Sequence, residues 1–132
     1  MLRYYAVVAD LSSGEHELRE LLDAAVRVDE LPNLLAPKGA SRDLEQTVIG
    51  FRAGKSLLRE QSCDVHEILV DGERAAVRAT WRGVIGVDAG GFRAGQELVA
   101  HLAALLTVRD GRIVHHATYD CYEPFERGVG ST

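Results

Sequence analysis

The sequence predicts an α+β fold, three helices packed on a strongly curved, mostly antiparallel sheet. Three observations predict it. Apolar residues recur at helical spacing through most of the stretch from Leu2 to about Arg59. After Gln61 the period drops from about 3.6 to 2. Two Asp-Gly pairs, Asp71-Gly72 and Asp110-Gly111, then separate long apolar runs as hairpin turns.

The elements follow in order. Leu2 to Asp10 reads as a short helix. Ser12 and Glu15 have the capping-box spacing, so they are expected to open a second helix that runs to about Leu22. Its stripe is Leu18, Leu21 and Leu22. Ala25 to Leu31 alternates, is rich in valine and stops at Pro32, so it is expected to be a strand. Asn33 to Gly39 reads as an irregular loop. Ser41 or Asp43 starts a third helix to about Arg59, with Leu44, Val48, Phe51, Lys55 and Leu58 on one face. Asp64 to Val70 and Arg74 to Ile85 form the first hairpin. Gly86 to Gly95 holds four glycines and reads as a mobile or tightly turned loop. Glu97 to Val108 and Arg112 to Tyr122 form the second hairpin.

Helices therefore gather on one face of a four-stranded meander. The long strand is apolar on both faces. Leu98, Ala100, Leu102, Ala104 and Leu106 point one way, and Val99, Ala103 and Leu105 the other. Three short helices cover one face only. A second copy of the chain is the economical cover for the other, so a homodimer through the outer face is expected.

Composition excludes several classes. At 132 residues the chain suits one domain, expected over 1–125, with a flexible polar tail over 126–132. It is 46% hydrophobic and 27% charged, which excludes a disordered or fibrous chain. No apolar run approaches the ~18 residues that span a bilayer, so no membrane partner is expected. The start shows no cleavage pattern, and a cytoplasmic location is the default. Net charge is −5 without a basic stripe, which argues against nucleic acid. Cys63 and Cys121 cannot build a disulfide framework, and neither has metal-ligand spacing.

Four stretches carry a family resemblance: Arg3-Tyr4-Tyr5, the run Val28 to Asn33, Thr80-Trp81-Arg82-Gly83, and Asp110 to Ile113 leading to Tyr119 through Pro124. With the element order they resemble the nuclear transport factor 2-like superfamily. That group includes ketosteroid isomerases, SnoaL-like polyketide cyclases and limonene epoxide hydrolase. The resemblance implies a cone-shaped barrel with a central cavity between helices and sheet. Its wall would carry Ala75, Val77, Ala79 and Trp81, then Ala100, Leu102, Ala104 and Leu106, then His116, Thr118 and Asp120. Strand alternation puts each set on one face. Tyr4 would point inward, Phe51 would contribute from the third helix, and Glu30 or Asp29 with Asn33 would reach the mouth.

Departures narrow the chemistry. The acidic residue that ketosteroid isomerases place on the long strand becomes Ala104. Their general-base position becomes Leu31, with Glu30 one step away and so on the opposite face. The charged pair of the epoxide hydrolases is missing, because no charge lies between Glu97 and Arg109. What remains resembles the SnoaL-like group, in which an aspartate near the end of the last strand can act as acid or base, and Asp120 sits in that region. Walled by Trp81 and aliphatics, it could act as acid or base, with His116, Tyr4 and Glu30 as polar partners. Trp81, Thr118, Leu102, Ala104, Phe51 and Asn33 would contact a small, largely apolar organic ligand. No cofactor is expected. A metal held by Glu30, His116 and Asp120 is an alternative. His115 and His116, as strand neighbours, face opposite ways. His101 and His115 suit the outer face or dimer interface, and His66 and His16 suit solvent. Cofactor-free isomerisation, cyclisation or a lyase or hydratase step fits, as does a non-catalytic binding or accessory module. A third reading is a purely structural dimerisation domain with a filled pocket.

Overall fold

The computed structural model describes residues 2–126, so most of the expected tail lies outside the described residues. The elements run α1 (Leu2–Ala9), α2 (Glu15–Leu21), β1 (Leu22–Glu30), β2 (Ala40–Arg42), α3 (Leu44–Leu57), β3 (Leu58–Asp71), β4 (Arg74–Ile85), β5 (Glu97–Arg109) and β6 (Arg112–Tyr122). The strands form one curled six-stranded sheet in the order β2-β1-β6-β5-β4-β3. It stays open and does not close into a barrel. The meander is antiparallel, as expected, while β1 runs parallel to β6 and pairs Val28 with His116 and Glu30 with Thr118.

Local chemistry explains where the helices start. Asp43 opens α3: its carboxylate accepts from the Gln46 amide at 2.9 Å, and Gln46 Oε1 accepts from the Asp43 amide at 3.0 Å. Ser12 does not cap α2. Its amide and hydroxyl both donate to Asp10 Oδ1, at 2.9 and 2.7 Å. That charged acceptor takes the hydroxyl for the turn after α1. Gly14 becomes the N-cap, with its amide donating to Glu17 at 3.3 Å.

Tyr4, Val7, Leu18, Val26, Val48, Leu106 and Ile113 meet in the core between helices and sheet. Leu18 is fully buried, and truncating it to alanine would cost about 2–5 kcal/mol. Lys55, the one polar member of α3's apolar stripe, donates to the Ser13 carbonyl and lies 5.2 Å from the centre of the Phe51 ring. It ties α3 to the turn before α2 without a buried free charge.

β3 begins directly at the end of α3, six residues earlier than the alternation indicates. Arg59, Glu60 and Ser62 lie on its solvent side, and bulges fall between Leu58 and Glu60 and between Val65 and Glu67. This edge strand bends with the sheet. β2 turns back onto β1 through Gly39, whose φ is +69°. A Cβ there would stand 2.6 Å from the Glu30 carbonyl oxygen, so a side chain would push the two strands apart.

Candidate functional site

Strand register decides which side chains share the concave face. Trp81 pairs with Ala100, Ala79 with Leu102, Val77 with Ala104 and Ala75 with Leu106. Across the next ladder Leu102 pairs with Asp120, Ala104 with Thr118 and Leu106 with His116. All face the helices, as strand alternation implies. The cleft there has two lobes that share Tyr4, Val8, His116, Thr118, Asp120 and Tyr122. The smaller lobe, about 190 Å³, lies beneath α1 and adds Tyr5, Cys63, Trp81 and Leu102. The larger, about 370 Å³, lies beneath α3 and adds Glu30, Arg42 and Phe51.

Asp120 stands where the lobes join. Its Oδ1 accepts from the Thr118 hydroxyl at 2.7 Å. Burial pushes its carboxyl above the usual carboxylate range; the Thr118 bond opposes that rise and the Glu30 charge adds to it. His116 does not touch Asp120. Its Nδ1 meets the Tyr4 hydroxyl at 3.2 Å, and the rings stack edge to face at 5.3 Å. Burial, with His115 nearby, pulls the His116 pKa down to about 4, so its imidazole is neutral at pH 7. Burial, then the Asp120 charge, keeps Tyr4 protonated, and Tyr122 is held likewise.

At the mouth Glu30 is fixed from two sides. Arg42 Nη1 donates to Oε1 at 2.9 Å, and Asn33 Nδ2 donates to Oε2 at 2.8 Å. Asn33 therefore orients Glu30 and lies off the lining. Asp29 faces outward, bonded to His115 Nε2 at 2.8 Å and to Ser41. Ala104 is packed in the core with Val77 and Leu106 and lines neither lobe. Among the described residues no three His, Cys, Asp or Glu side chains group to hold a metal ion, Glu30, His116 and Asp120 included.

The wall of the smaller lobe is braced from the sheet. Trp81 Nε1 donates to Gln61 Oε1 at 2.9 Å, and Gln61 Nε2 donates to the Val8 carbonyl at 2.9 Å. Gln61 thus links the indole to α1. Gly83 makes room for the ring, because a Cβ there would fall 2.5 Å from the indole edge. Cys63 is a free thiol; burial, with Asp64 near, raises its pKa to about 11, so it is no nucleophile. Cys121 is exposed on the outer face beside His101, which bonds Glu123. His66 is exposed against Thr80, and His16 pairs with Glu20 in solvent.

Sequence reasoning missed Tyr5, Tyr122, Arg42, Cys63 and Gln61. Tyr122 was within reach, being two residues past Asp120 on the same strand face. Arg42 was not, because a three-residue strand leaves no pattern.

Three helices over a curled six-stranded sheet, with a half-buried carboxyl on the concave face, make a fold shared with solved structures described as NTF2-like and ketosteroid isomerase-like. The chain belongs to the SnoaL-like domain family, whose sequence profile matches residues 3–116. Solved structures share the fold. IdmH, a candidate polyketide cyclase from Streptomyces antibioticus, is 24% identical with a TM-score of 0.74, covering 90% of this chain and 87% of its own. A candidate SnoaL-like polyketide cyclase from Jannaschia is 19% identical with a TM-score of 0.71, covering 90% and 81%. AclR, a candidate hydroxylase from Streptomyces galilaeus, is 20% identical with a TM-score of 0.70, covering 90% and 74%. Among curated proteins none matches the chain. Among the described residues no helix is long and apolar enough to cross a membrane.

Proposed function

We propose that the two-lobed cleft takes a small, largely apolar organic molecule and that Asp120 exchanges a proton with it. The reaction class is cofactor-free isomerisation, cyclisation, or a lyase or hydratase step. The observation that carries this reading is the Asp120 carboxyl itself. It stands where the two lobes join, has one hydroxyl partner, and burial pushes it above the usual carboxylate range, the direction that suits an acid or base. Tyr4 and His116 support it as a fixed, neutral pair, and the Glu30–Arg42 pair guards the mouth. The fold neighbours described as candidate cyclases support the same class of chemistry.

The test is a substrate search followed by Asp120→Asn. Turnover of any compound found should be lost while its binding remains. Turnover that survives the substitution would overturn the assignment. A compound that binds without turnover in either protein would favour the rival, a binding or accessory module.

We also propose that two copies pair through the outer sheet face. Leu105 and Tyr119 are 52% and 47% exposed there, next to Leu69 and Val70 around a shallow groove. An uncovered strip of this kind is unusual on a monomer.

A further inference from the structure

The lining of the smaller lobe is one-sided in charge. Four aromatic side chains, Tyr4, Tyr5, Trp81 and Tyr122, surround it together with Asp120, and no lysine or arginine is among the described residues that line it. His116, also on its wall, is held neutral by burial and by nearby His115. The aromatic rings come in two pairs, one from the helix above and one from the sheet below. Tyr4 and Tyr5 of α1 meet at 5.2 Å and 83°, and Trp81 of β4 meets Tyr122 of β6 at 6.4 Å and 79°. Pairs so near a right angle form corners rather than flat stacks. The faces of such rings are negative and attract cations.

The carboxyl adds to that attraction. Glu30, the other carboxylate on the cleft, already accepts from Arg42 at 2.9 Å. Asp120 has the Thr118 hydroxyl and no ion pair among the described residues, and the charge that acts on it, Glu30, is negative too. A carboxylate drawn out of water without a cation is costly, and a cation arriving from outside relieves the cost. The walls select the kind of cation. A metal ion or a bare ammonium replaces its water shell with several acceptors at once, and this lobe offers one carboxylate. An alkylated ammonium spreads its charge over C–H groups that pack directly on rings, so it needs fewer acceptors.

We propose that the smaller lobe is a subsite for an alkylated ammonium group, held between the Tyr4–Tyr5 and Trp81–Tyr122 corners with Asp120 as its counter-ion. This rests on the reading of the cleft as a ligand site and narrows its substrate class to apolar molecules that carry one such cation. The lobe, about 190 Å³, takes the head group, and the rest of the molecule continues into the larger lobe, which shares Asp120 and Tyr122. The bound charge keeps Asp120 as the carboxylate, the form that accepts a proton.

The experiment compares phenyltrimethylammonium with tert-butylbenzene, which match in shape and differ in charge, on the wild-type protein and on Asp120→Asn. NMR titration should show the cation binding the wild-type protein roughly tenfold more tightly than the neutral probe. Trp81 is the sole tryptophan, so its emission should change as the cation binds. Asp120→Asn should remove most of the preference and leave the affinity for tert-butylbenzene unchanged. Equal affinities in the wild-type protein, or tighter binding of the neutral probe, would overturn the ammonium subsite and leave the apolar cleft standing. A preference that survives Asp120→Asn, or that leaves Trp81 emission unmoved, would put the cation elsewhere on this acidic protein and overturn the subsite. Binding of neither probe would overturn the cleft reading and this inference with it.

Discussion

Replacing Asp120 with asparagine should stabilise the ligand-free protein near neutral pH. Burial penalises the charged carboxylate, the Thr118 hydroxyl relieves part of that penalty, and the Glu30 charge restores some of it. Asparagine is nearly isosteric, and its Oδ1 can accept the same Thr118 hydroxyl, now at 2.7 Å. The charge is the main thing removed. The folded-state pKa of Asp120 lies above its unfolded value, so between the two values the native state binds more protons than the unfolded one. Stability is then highest below the unfolded pKa, falls as pH rises through the folded pKa, and stays lowered above it. Each unit of elevation is worth about 1.4 kcal/mol. With 132 residues, the unfolding entropy is about 0.28 kcal/mol/K, so one unit corresponds to about 5 °C in melting temperature. Calorimetric melts of both proteins across acid to neutral pH give the curve. The variant should melt higher near neutrality, and the gap should close on acidification below the ordinary carboxylate range. A variant that melts lower at neutral pH would refute the reasoning, because the charged form would then be the stabilised one.

Three further perturbations probe the scaffold. Asp43→Ala removes the side-chain half of the α3 cap, the carboxylate that accepts from the Gln46 amide, and should cost about 1 kcal/mol in a denaturant melt; an unchanged midpoint would contradict the cap. Gly83→Ala forces a Cβ to within 2.5 Å of the Trp81 indole. Trp81 is the sole tryptophan, so its emission should shift, and identical spectra would show that the ring is not held there. Leu105→Glu should convert a dimer to monomer in sedimentation at micromolar concentration, while a wild-type protein that is already monomeric would count against the outer-face interface.

Much of the site could be read from the sequence because strands have an exact period. Once Asp71-Gly72 and Asp110-Gly111 fix the hairpins, alternation alone puts Trp81, Leu102, His116, Thr118 and Asp120 on one face. What stayed hidden depends on pairs distant in sequence. The parallel β1–β6 ladder brings Glu30 beside Thr118, and β2 adds Arg42, yet neither leaves a local signature. The solvent-side residues at the start of β3 concealed where that strand begins. Ser12 was misplaced because Asp10, two residues away, outcompetes the helix for its hydroxyl. Ala104 sits on the concave face as alternation predicts, but neighbouring side chains fill the space above it.

The central claim is that Asp120 is a half-buried, proton-exchanging carboxyl in a largely apolar cleft. Titrating its side-chain carbon by NMR in the ligand-free protein tests that most directly. The account predicts a midpoint clearly above the ordinary aspartate value of about 3.9. A midpoint at or below that value would contradict it, and would leave Asp120 as an ordinary anion tied to Thr118.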